Sequence, residues 1–341
     1  MGPREKALSG PRRRSNPRFR RYAVYLTPLQ AYVVKKAKCN DWTHAMAITK
    51  ADEVLKEAEQ LWLAGETQRA RECFRRARML YHEAKDPSGQ ANALMALGDL
   101  EMRMGHHAAA REAFTEARTL LAPGGDQREQ GAILSRLGEL AHRAGNLGEA
   151  RSCYGAAREL FHAADDQSGQ AHVLKRLGHL ERDEGRQDLA LDLYHQALGL
   201  YRHAGDGLGE AHALRSLAAL HDLLGQPDQA HQDFDLAIEL FRAAGDVLGE
   251  ASALTGLAHL LRRTRRPAEA AEILHAAAEL YGQAGHLRGE ADILLELGRL
   301  AVARGEKDAA RNHFTRSAEL YGRADAGDLR RKALKELHSL A

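Results

Sequence analysis

A 40-residue internal repeat constrains the fold of this 341-residue chain more than any other feature. Three columns of leucine recur at that spacing without an insertion or deletion. The columns are Leu94, Leu134, Leu174, Leu214, Leu254, Leu294 and Leu334; Leu97, Leu137, Leu177, Leu217, Leu257, Leu297 and Leu337; and Leu100, Leu140, Leu180, Leu220, Leu260, Leu300 and Leu340. Such a period is typical of stacked-repeat proteins, in which each unit buries its apolar face only against its neighbours.

Each repeat is predicted to form two helices. In the first helix, leucines three residues apart share one face. Glycine then recurs where this helix should end, and it suits a left-handed backbone position because it has no Cβ. These glycines are Gly65, Gly105, Gly145, Gly185, Gly225 and Gly305. The second helix carries an alanine, an aromatic and a second alanine, as in Ala110, Phe114 and Ala117, which indicates close helix pairing around the ring.

These motifs resemble the tetratricopeptide repeat family. The resemblance rests on Ala110 and its equivalents, on the aromatic four residues later, and on four Leu-Gly pairs: Leu97-Gly98, Leu137-Gly138, Leu177-Gly178 and Leu297-Gly298. The proline that usually ends the second helix is absent, and the repeat is longer than the common form of about 34 residues. It is similar to the longer repeats of polarity adaptors and of sensor regions in bacterial regulators. The resemblance implies an all-α, right-handed superhelical solenoid of stacked antiparallel helix pairs.

The repeat register divides the chain into three parts. Residues 1–49 form an N-terminal arm, with an Arg-rich and disordered stretch at Pro11–Arg21 and a short amphipathic helix from Thr27 to Lys36. Seven repeats follow at 50–89, 90–129, 130–169, 170–209, 210–249, 250–289 and 290–329. Residues 330–341 form a C-terminal capping helix. A translation start at Met46 is an alternative, which would leave residues 1–45 outside the natural protein.

Charge is distributed unevenly along the chain. Residues 1–49 contain 11 Lys and Arg against 2 Asp and Glu, whereas the remainder contains 38 against 45. The repeats are therefore mildly acidic, and contact with nucleic acid or a membrane is expected only through the basic arm.

Cys39, Cys73 and Cys153 have no short spacing, which favours a reducing, cytoplasmic setting. No apolar stretch approaches the ~20 residues of a membrane-spanning helix.

No catalytic pattern stands out among the 18 histidines and the other reactive side chains. The sequence has no His-Glu-x-x-His motif, no Cys/His pair at a metal-ligand spacing and no phosphate-binding glycine loop. We therefore expect neither an enzyme nor a bound metal or other cofactor. A metal site built from His172, His179 and His212 is an alternative, although two histidines seven residues apart span about 10 Å of helix.

The candidate binding surface lies opposite the leucines on the first helix of each repeat. Sites spaced three, four and three residues apart point away from the core. The resemblance implies that this face lines a concave groove for peptides. Its candidate residues are His172, Lys175, His179, Arg182, His212, Arg215, His259, Arg262 and Arg299. The alternative is a solvated helix face that binds nothing.

The predicted function is that of a scaffold or adaptor, which captures a protein or peptide segment of acidic character in this groove. Affinity is expected to rise as the pH falls toward about 6, because histidine gains charge there. The asparagines with which this family binds chaperone tails are absent, since Ser135, Lys175, His179 and Arg215 occupy comparable sites. The alternative function is a ligand- or peptide-responsive sensor that controls a separate DNA-binding or signalling partner.

Overall fold

The computed structural model of the protein describes residues 42–63, 65–121 and 126–340. Within these ranges fifteen α-helices occur and no strand. They are α1 (Trp42–Leu63), α2 (Thr67–Glu83), α3 (Pro87–Arg103), α4 (His107–Leu121), α5 (Gln127–Arg143), α6 (Leu147–Ala163), α7 (Gln167–Asp183), α8 (Gln187–Ala204), α9 (Gly207–Leu223), α10 (Pro227–Ala244), α11 (Val247–Arg263), α12 (Pro267–Gln283), α13 (Leu287–Ala303), α14 (Lys307–Arg323) and α15 (Gly327–His338). The predicted helix from Thr27 to Lys36 and the Arg-rich stretch lie outside the described residues.

Three-residue turns reverse the chain between most of these helices and place one residue in the left-handed region. The glycine predicted to end the first helix of a pair does so, with a φ of +78° at both Gly105 and Gly185. Arg265 holds the same position with a φ of 63°. Turns between pairs also use this conformation, with a φ of 67° at Gly205. Because the turns are short, consecutive helices run antiparallel. Each helix packs against the next along the chain, which confirms the predicted all-α solenoid of helix pairs.

Polar caps and prolines fix where the helices begin. Asp166, Asp206 and Asp246 each accept a hydrogen bond from the backbone N–H three residues later, at 2.8–3.1 Å, at the start of α7, α9 and α11. Each bond satisfies an amide that would otherwise have no partner inside the helix. Pro227 and Pro267 take the first position of α10 and α12, where the missing N–H leaves no helical bond unmade.

The core runs along the array between the paired helices. The leucine columns fill it, with Leu214, Leu217 and Leu220 at most 2% exposed. The alanine and aromatic positions of the second helices are also buried, and Phe114 and Tyr194 are fully enclosed. A smaller set of column leucines is only partly buried: Leu134, Leu294, Leu334 and Leu337. The inner face predicted from the repeat is therefore the face that packs.

The two ends of the array differ from its middle. In the first pair Glu57 and Gln60 stand in the leucine columns and are exposed. The helix α1 starts at Trp42, so residues 42–49 continue it, although the repeat register placed them in the arm. At the other end α15 packs against α14 and leaves Arg330, which precedes its leucines, in solvent. The helix pairs begin three residues before the sequence-based repeat boundaries, as at Pro87 for the repeat assigned to 90–129.

Candidate binding groove

The first helices of the pairs form the inner face of the array. The helices α5, α7, α9 and α11 contact one another in sequence, in addition to contacting the second helices between them. In the part of the chain that the structure describes, the second helices make no comparable contacts with one another. The stack is therefore tighter on the side of the first helices, which places them on the inside of its curvature.

Aromatic side chains of the second helices reach through to this inner face. Tyr81 donates a hydrogen bond to the Asp52 carboxylate, and Tyr321 donates one to Asp292. In the middle of the array the equivalent ring of Phe241 packs edge-on against His212, with ring centroids 4.9 Å apart. The first-helix residue that meets this ring is thus an acid at the ends of the array and a histidine at its centre.

One position of the first helices, which we call the floor column, changes character along the array. Its residues are Leu55, Met95, Ser135, Lys175, Arg215, Thr255 and Leu295. Over the seven helix pairs the column is apolar at both ends and cationic in the middle, and α15 continues it with the exposed Lys335. The two central cations stand at the same place in consecutive repeats, on α7 and α9.

Lys175 is buried without a counterion. Its side chain is 9% exposed, and its ammonium lies 5.8 Å from the centroid of the Tyr201 ring. No hydrogen bond or ion pair reaches this ammonium from the residues that the structure describes. Burial, reinforced by the positive charges of Arg176 and Arg215, lowers the pKa of Lys175 to about 7. The amine therefore exchanges its proton close to neutral pH.

Arg215 is only partly satisfied by the protein. One terminal N–H group donates to Ser252 Oγ at 2.6 Å. The Nε–H group is buried and has no hydrogen-bond partner among the described residues. Burial lowers the pKa of Arg215, although an arginine stays charged at any physiological pH. A buried donor without a hydrogen-bond partner costs about 1–3 kcal/mol.

The three histidines near these cations are neutral. His179 shares a hydrogen bond of 2.8 Å with the Tyr194 hydroxyl, and its ring packs against the Tyr194 ring. Burial and nearby cations hold the pKa of His172 and of His179 well below the usual value, and lower that of His212 to about 2. The expected gain of histidine charge toward pH 6 is therefore wrong at this site, because a second positive charge is unfavourable beside Lys175 and Arg176.

The remaining candidate residues do not join this cluster. Arg182 pairs with its neighbour Asp183 at 2.8 Å. His259 lies 3.6 Å from Glu296, and Arg299 binds Glu336 of α15 at 2.7 Å. The exposed Arg262 completes the set. The structure thus brings together His172, Lys175, His179, His212 and Arg215. Of the other candidates, Arg182, His259 and Arg299 pair with acids elsewhere on the inner face.

An ion-pair network beside Lys175 was missed by the sequence reasoning. Glu139 is buried and binds Arg136, Arg143 and Arg176, with N–O distances of 3.4, 2.8 and 3.0 Å. Arg136 also pairs with Asp99 at 3.0 Å. Arg136 and Arg176 follow the floor column by one residue, a position that the three-four-three spacing skips. Basic residues repeated at an offset of 40 were the available signal.

The described residues offer no group of three or more His, Cys, Asp or Glu side chains arranged to hold a metal ion. A search of the same residues finds no helix long and apolar enough to cross a membrane.

Comparison with known proteins decides the family. The tetratricopeptide repeat model matches residues 129–203, 170–243 and 249–323, which together make up more than half of the chain. This chain belongs to the tetratricopeptide repeat family. The resemblance inferred from the leucine columns and Leu-Gly pairs is confirmed. No curated protein matches the full sequence significantly.

Several solved tetratricopeptide proteins share the fold at low sequence identity. The crystal structure of aspartyl phosphate phosphatase F from Bacillus subtilis is 13% identical, with a TM-score of 0.62 over 86% of this chain and 74% of that one. A Rap protein in complex with competence and sporulation factor is 13% identical, with a TM-score of 0.55 over 86% and 98%. A signal transduction ATPase from Pyrococcus horikoshii with a tetratricopeptide repeat sensor is 16% identical, with a TM-score of 0.63 over 91% and 48%. At these identities the likeness establishes the fold.

Proposed function

We propose that this tetratricopeptide array is a protein-interaction scaffold whose inner face binds an acidic segment of a partner protein. The observation that carries the proposal is the centre of the floor column, where the buried Lys175 and the half-buried Arg215 lack a carboxylate partner among the described residues. Most other cations of the inner face are already paired with acids. The proposed role is binding rather than catalysis.

The electrostatics of the site favour an acidic ligand over a basic one. Lys175, Arg215 and Arg176 bring three cations together, and the Glu139 carboxylate beside them is already shared by three guanidinium groups. A ligand carboxylate relieves the mutual repulsion of the cations, whereas a ligand cation adds to it. A Rap protein of similar fold forms a complex with competence and sporulation factor, and the ligand chemistry proposed here follows from the residues of this site.

The test is affinity capture of partners from the native cell with the wild-type chain and with Lys175→Glu/Arg215→Glu. We expect the wild type to retain acidic proteins that the variant loses. The matched control is Arg158→Glu, which reverses an exposed charge on the second helix α6 and should keep the partners. Circular dichroism confirms that each variant is folded. If the folded double variant keeps every partner, the inner face is not the binding surface.

Binding should also depend on pH in a direction set by Lys175. The pKa of this amine is about 7, so the charged fraction rises as the pH falls from 8 to 6. Acidic partners should therefore be retained more strongly at pH 6 than at pH 8, and Lys175→Arg should remove this dependence because arginine stays charged. If the wild type retains acidic partners equally at both pH values, Lys175 is not the group that binds them.

A second candidate function is a sensor in which a bound peptide or small ligand changes the curvature of the array and so controls a separate DNA-binding or signalling partner. The observation in its favour is the structural match over 91% of this chain to a protein with a tetratricopeptide repeat sensor, which rests on the fold alone. Small-angle scattering of the chain with and without a captured partner segment distinguishes the two. A sensor changes its dimensions on binding, and a rigid scaffold does not.

A further inference from the structure

The outer face of the array has gaps between neighbouring second helices, which we call seams. The second helices approach one another less closely than the first helices do, so side chains rather than backbones meet across a seam. At the seam between α12 and α14 these side chains are His275, which follows the core position Leu274, and His313, which precedes the core position Phe314. The pair is 38 residues apart in the sequence, so no short metal-ligand spacing reveals it.

The two imidazole rings of this seam lie close together and have no other polar partner in the part of the chain that the structure describes. Their centroids are 5.6 Å apart, and their planes make an angle of 48°. His275 is exposed and His313 is half-buried. No hydrogen bond or ion pair from the described residues engages either ring. The ring nitrogens are therefore available to a ligand that enters from solvent.

The separation of the rings fits a shared metal ion. An imidazole nitrogen binds Zn²⁺ at ~2.0–2.1 Å, which places the ion about 3.2 Å from the centre of the ring. Two imidazoles on one tetrahedral ion then have centres about 5.2 Å apart. The observed 5.6 Å is within the reach of a small side-chain rotation of the exposed His275.

The protonation state and the surrounding charges also suit a cation. Burial and the proximity of His275 lower the pKa of His313, so a nitrogen lone pair is available at neutral pH, as metal binding requires. Glu272 and Glu279 lie one helical turn to either side of His275 and are exposed. On the other helix Arg316 is one turn from His313, but it pairs with Glu319 at 3.4 Å.

The equivalent positions of the other seams do not offer a second such pair. By repeat register they are Arg75 and Ala113; Thr115 and Cys153; Gly155 and Leu193; His195 and Asp233; and Asp235 and Ile273. At the seam between α8 and α10, Asp233 is engaged by His221 Nδ1 at 2.7 Å. The centroids of His195 and His221 are 6.4 Å apart, which would require a nearly linear arrangement around an ion. At the seam between α12 and α14 the place of His221 is taken by Ala301, so no side chain competes for the two rings from below.

We propose that His275 and His313 bind one divalent transition-metal ion of the class that prefers imidazole, such as Zn²⁺, Ni²⁺ or Cu²⁺, and that the ion ties α12 to α14. Two protein ligands leave the remaining coordination positions to water, so the ion is exchangeable rather than a permanent part of the fold. Since α12 and α14 belong to consecutive repeats, the bound ion fixes their spacing on the outer face. The site is separate from the inner face and does not depend on the function proposed for it.

The experiment is calorimetric titration of the full, untagged chain with ZnCl₂ at neutral pH. The chain has 18 histidines, so the comparison among variants, rather than the total uptake of metal, identifies the site. The variants are His275→Gln and His313→Gln. The matched control is His195→Gln, which removes an exposed histidine at the equivalent position of α8. Circular dichroism confirms that each variant is folded.

We expect His275→Gln and His313→Gln each to weaken the tightest Zn²⁺ site by about 10–100-fold or more, because even the loss of an outer-shell partner has an effect of that size. His195→Gln should bind Zn²⁺ as the wild type does. Zn²⁺ should also raise the urea midpoint of the wild type but not that of His275→Gln, because an ion that binds only the folded array stabilises it.

Three results overturn the inference. If both His275→Gln and His313→Gln bind Zn²⁺ as tightly as the wild type, the ion is not bound at this seam. If only one of them weakens binding, the two rings do not share an ion, and weaker binding by His195→Gln places the site at the other seam. Because His275 is exposed, His275→Gln remains a decisive test if the half-buried substitution His313→Gln prevents folding.

Discussion

The same substitution, glycine to alanine in a helix, is expected to have opposite effects at two positions of this array. At Gly178 in α7 an added Cβ would lie 2.5 and 2.6 Å from two ring carbons of Tyr194. Carbon atoms in contact are normally about 3.5–4.0 Å apart, so the ring must move. Tyr194 is fully buried, and its hydroxyl is held by His179, which leaves little room for that movement.

The expected change in the free energy of unfolding has two contributions of opposite sign. Alanine gains about 1 kcal/mol over glycine in a helix interior. Overpacking a core costs about 1–3 kcal/mol. At Gly199 in α8 no atom lies within 4 Å of the added Cβ, so only the gain applies. Because the helix term cancels between the two variants, Gly178→Ala should be less stable than Gly199→Ala by about 1–3 kcal/mol.

The assay is equilibrium urea unfolding followed by circular dichroism. Repeat six provides a rescue, because it has Ala258 at the glycine position and Leu274 at the aromatic position. In a double-mutant cycle, Tyr194→Leu should remove most of the cost of Gly178→Ala. If Gly178→Ala stabilises the array as much as Gly199→Ala does, the close approach of Tyr194 to its helix is not a constraint and the packing argument is refuted.

Three further predictions concern stability and are checked by urea unfolding. Leu217→Ala should lower the free energy of unfolding by about 2–5 kcal/mol, since it leaves a cavity at a position that is only 1% exposed, and Leu177, which is 9% exposed, should behave alike. Gly185→Ala should destabilise the array by about 1–2 kcal/mol because the φ of Gly185 is +78°. Arg265→Gly at the equivalent turn should stabilise the array. A change of the same sign in the free energy of unfolding of both variants would contradict the left-handed conformation of these residues. Burial alone would raise the pKa of Glu139, but its three arginines lower the pKa on balance. The contribution of Glu139 to the free energy of unfolding is therefore present above the unfolded pKa of about 4.5 and is lost below it. In Glu139→Gln the loss of stability on acidification should be smaller, and an unchanged pH profile would count against the network.

Much of the fold could be predicted from the repeat, because a solenoid is built from local contacts. Leucines at 40-residue spacing, such as Leu214, identify the buried face without any knowledge of distant contacts. Gly105 and Gly185 mark turns because few other residues tolerate a positive φ. The alanine and aromatic columns indicate which faces of the helix pair meet. Each of these inferences depends on a residue and its neighbours within one or two repeats.

The sequence also determined which residues lie on the inner face, because position within a helix fixes the direction of a side chain. Lys175 and Arg215 were among the candidates, and both lie in the floor column. What the sequence could not determine was their environment. Whether a cation is solvated, paired or buried depends on side chains that arrive from other helices.

Only the tertiary structure decided the charge state of the site. Burial against Tyr201, the proximity of Arg215 and the engagement of Glu139 by three arginines together set the pKa of Lys175. The same surroundings keep His172 neutral, so histidine does not contribute the pH dependence that was expected from it. The physical reason is that desolvation and Coulomb interactions act through space over several ångströms, so they depend on which repeats are stacked side by side and not on spacing along one helix.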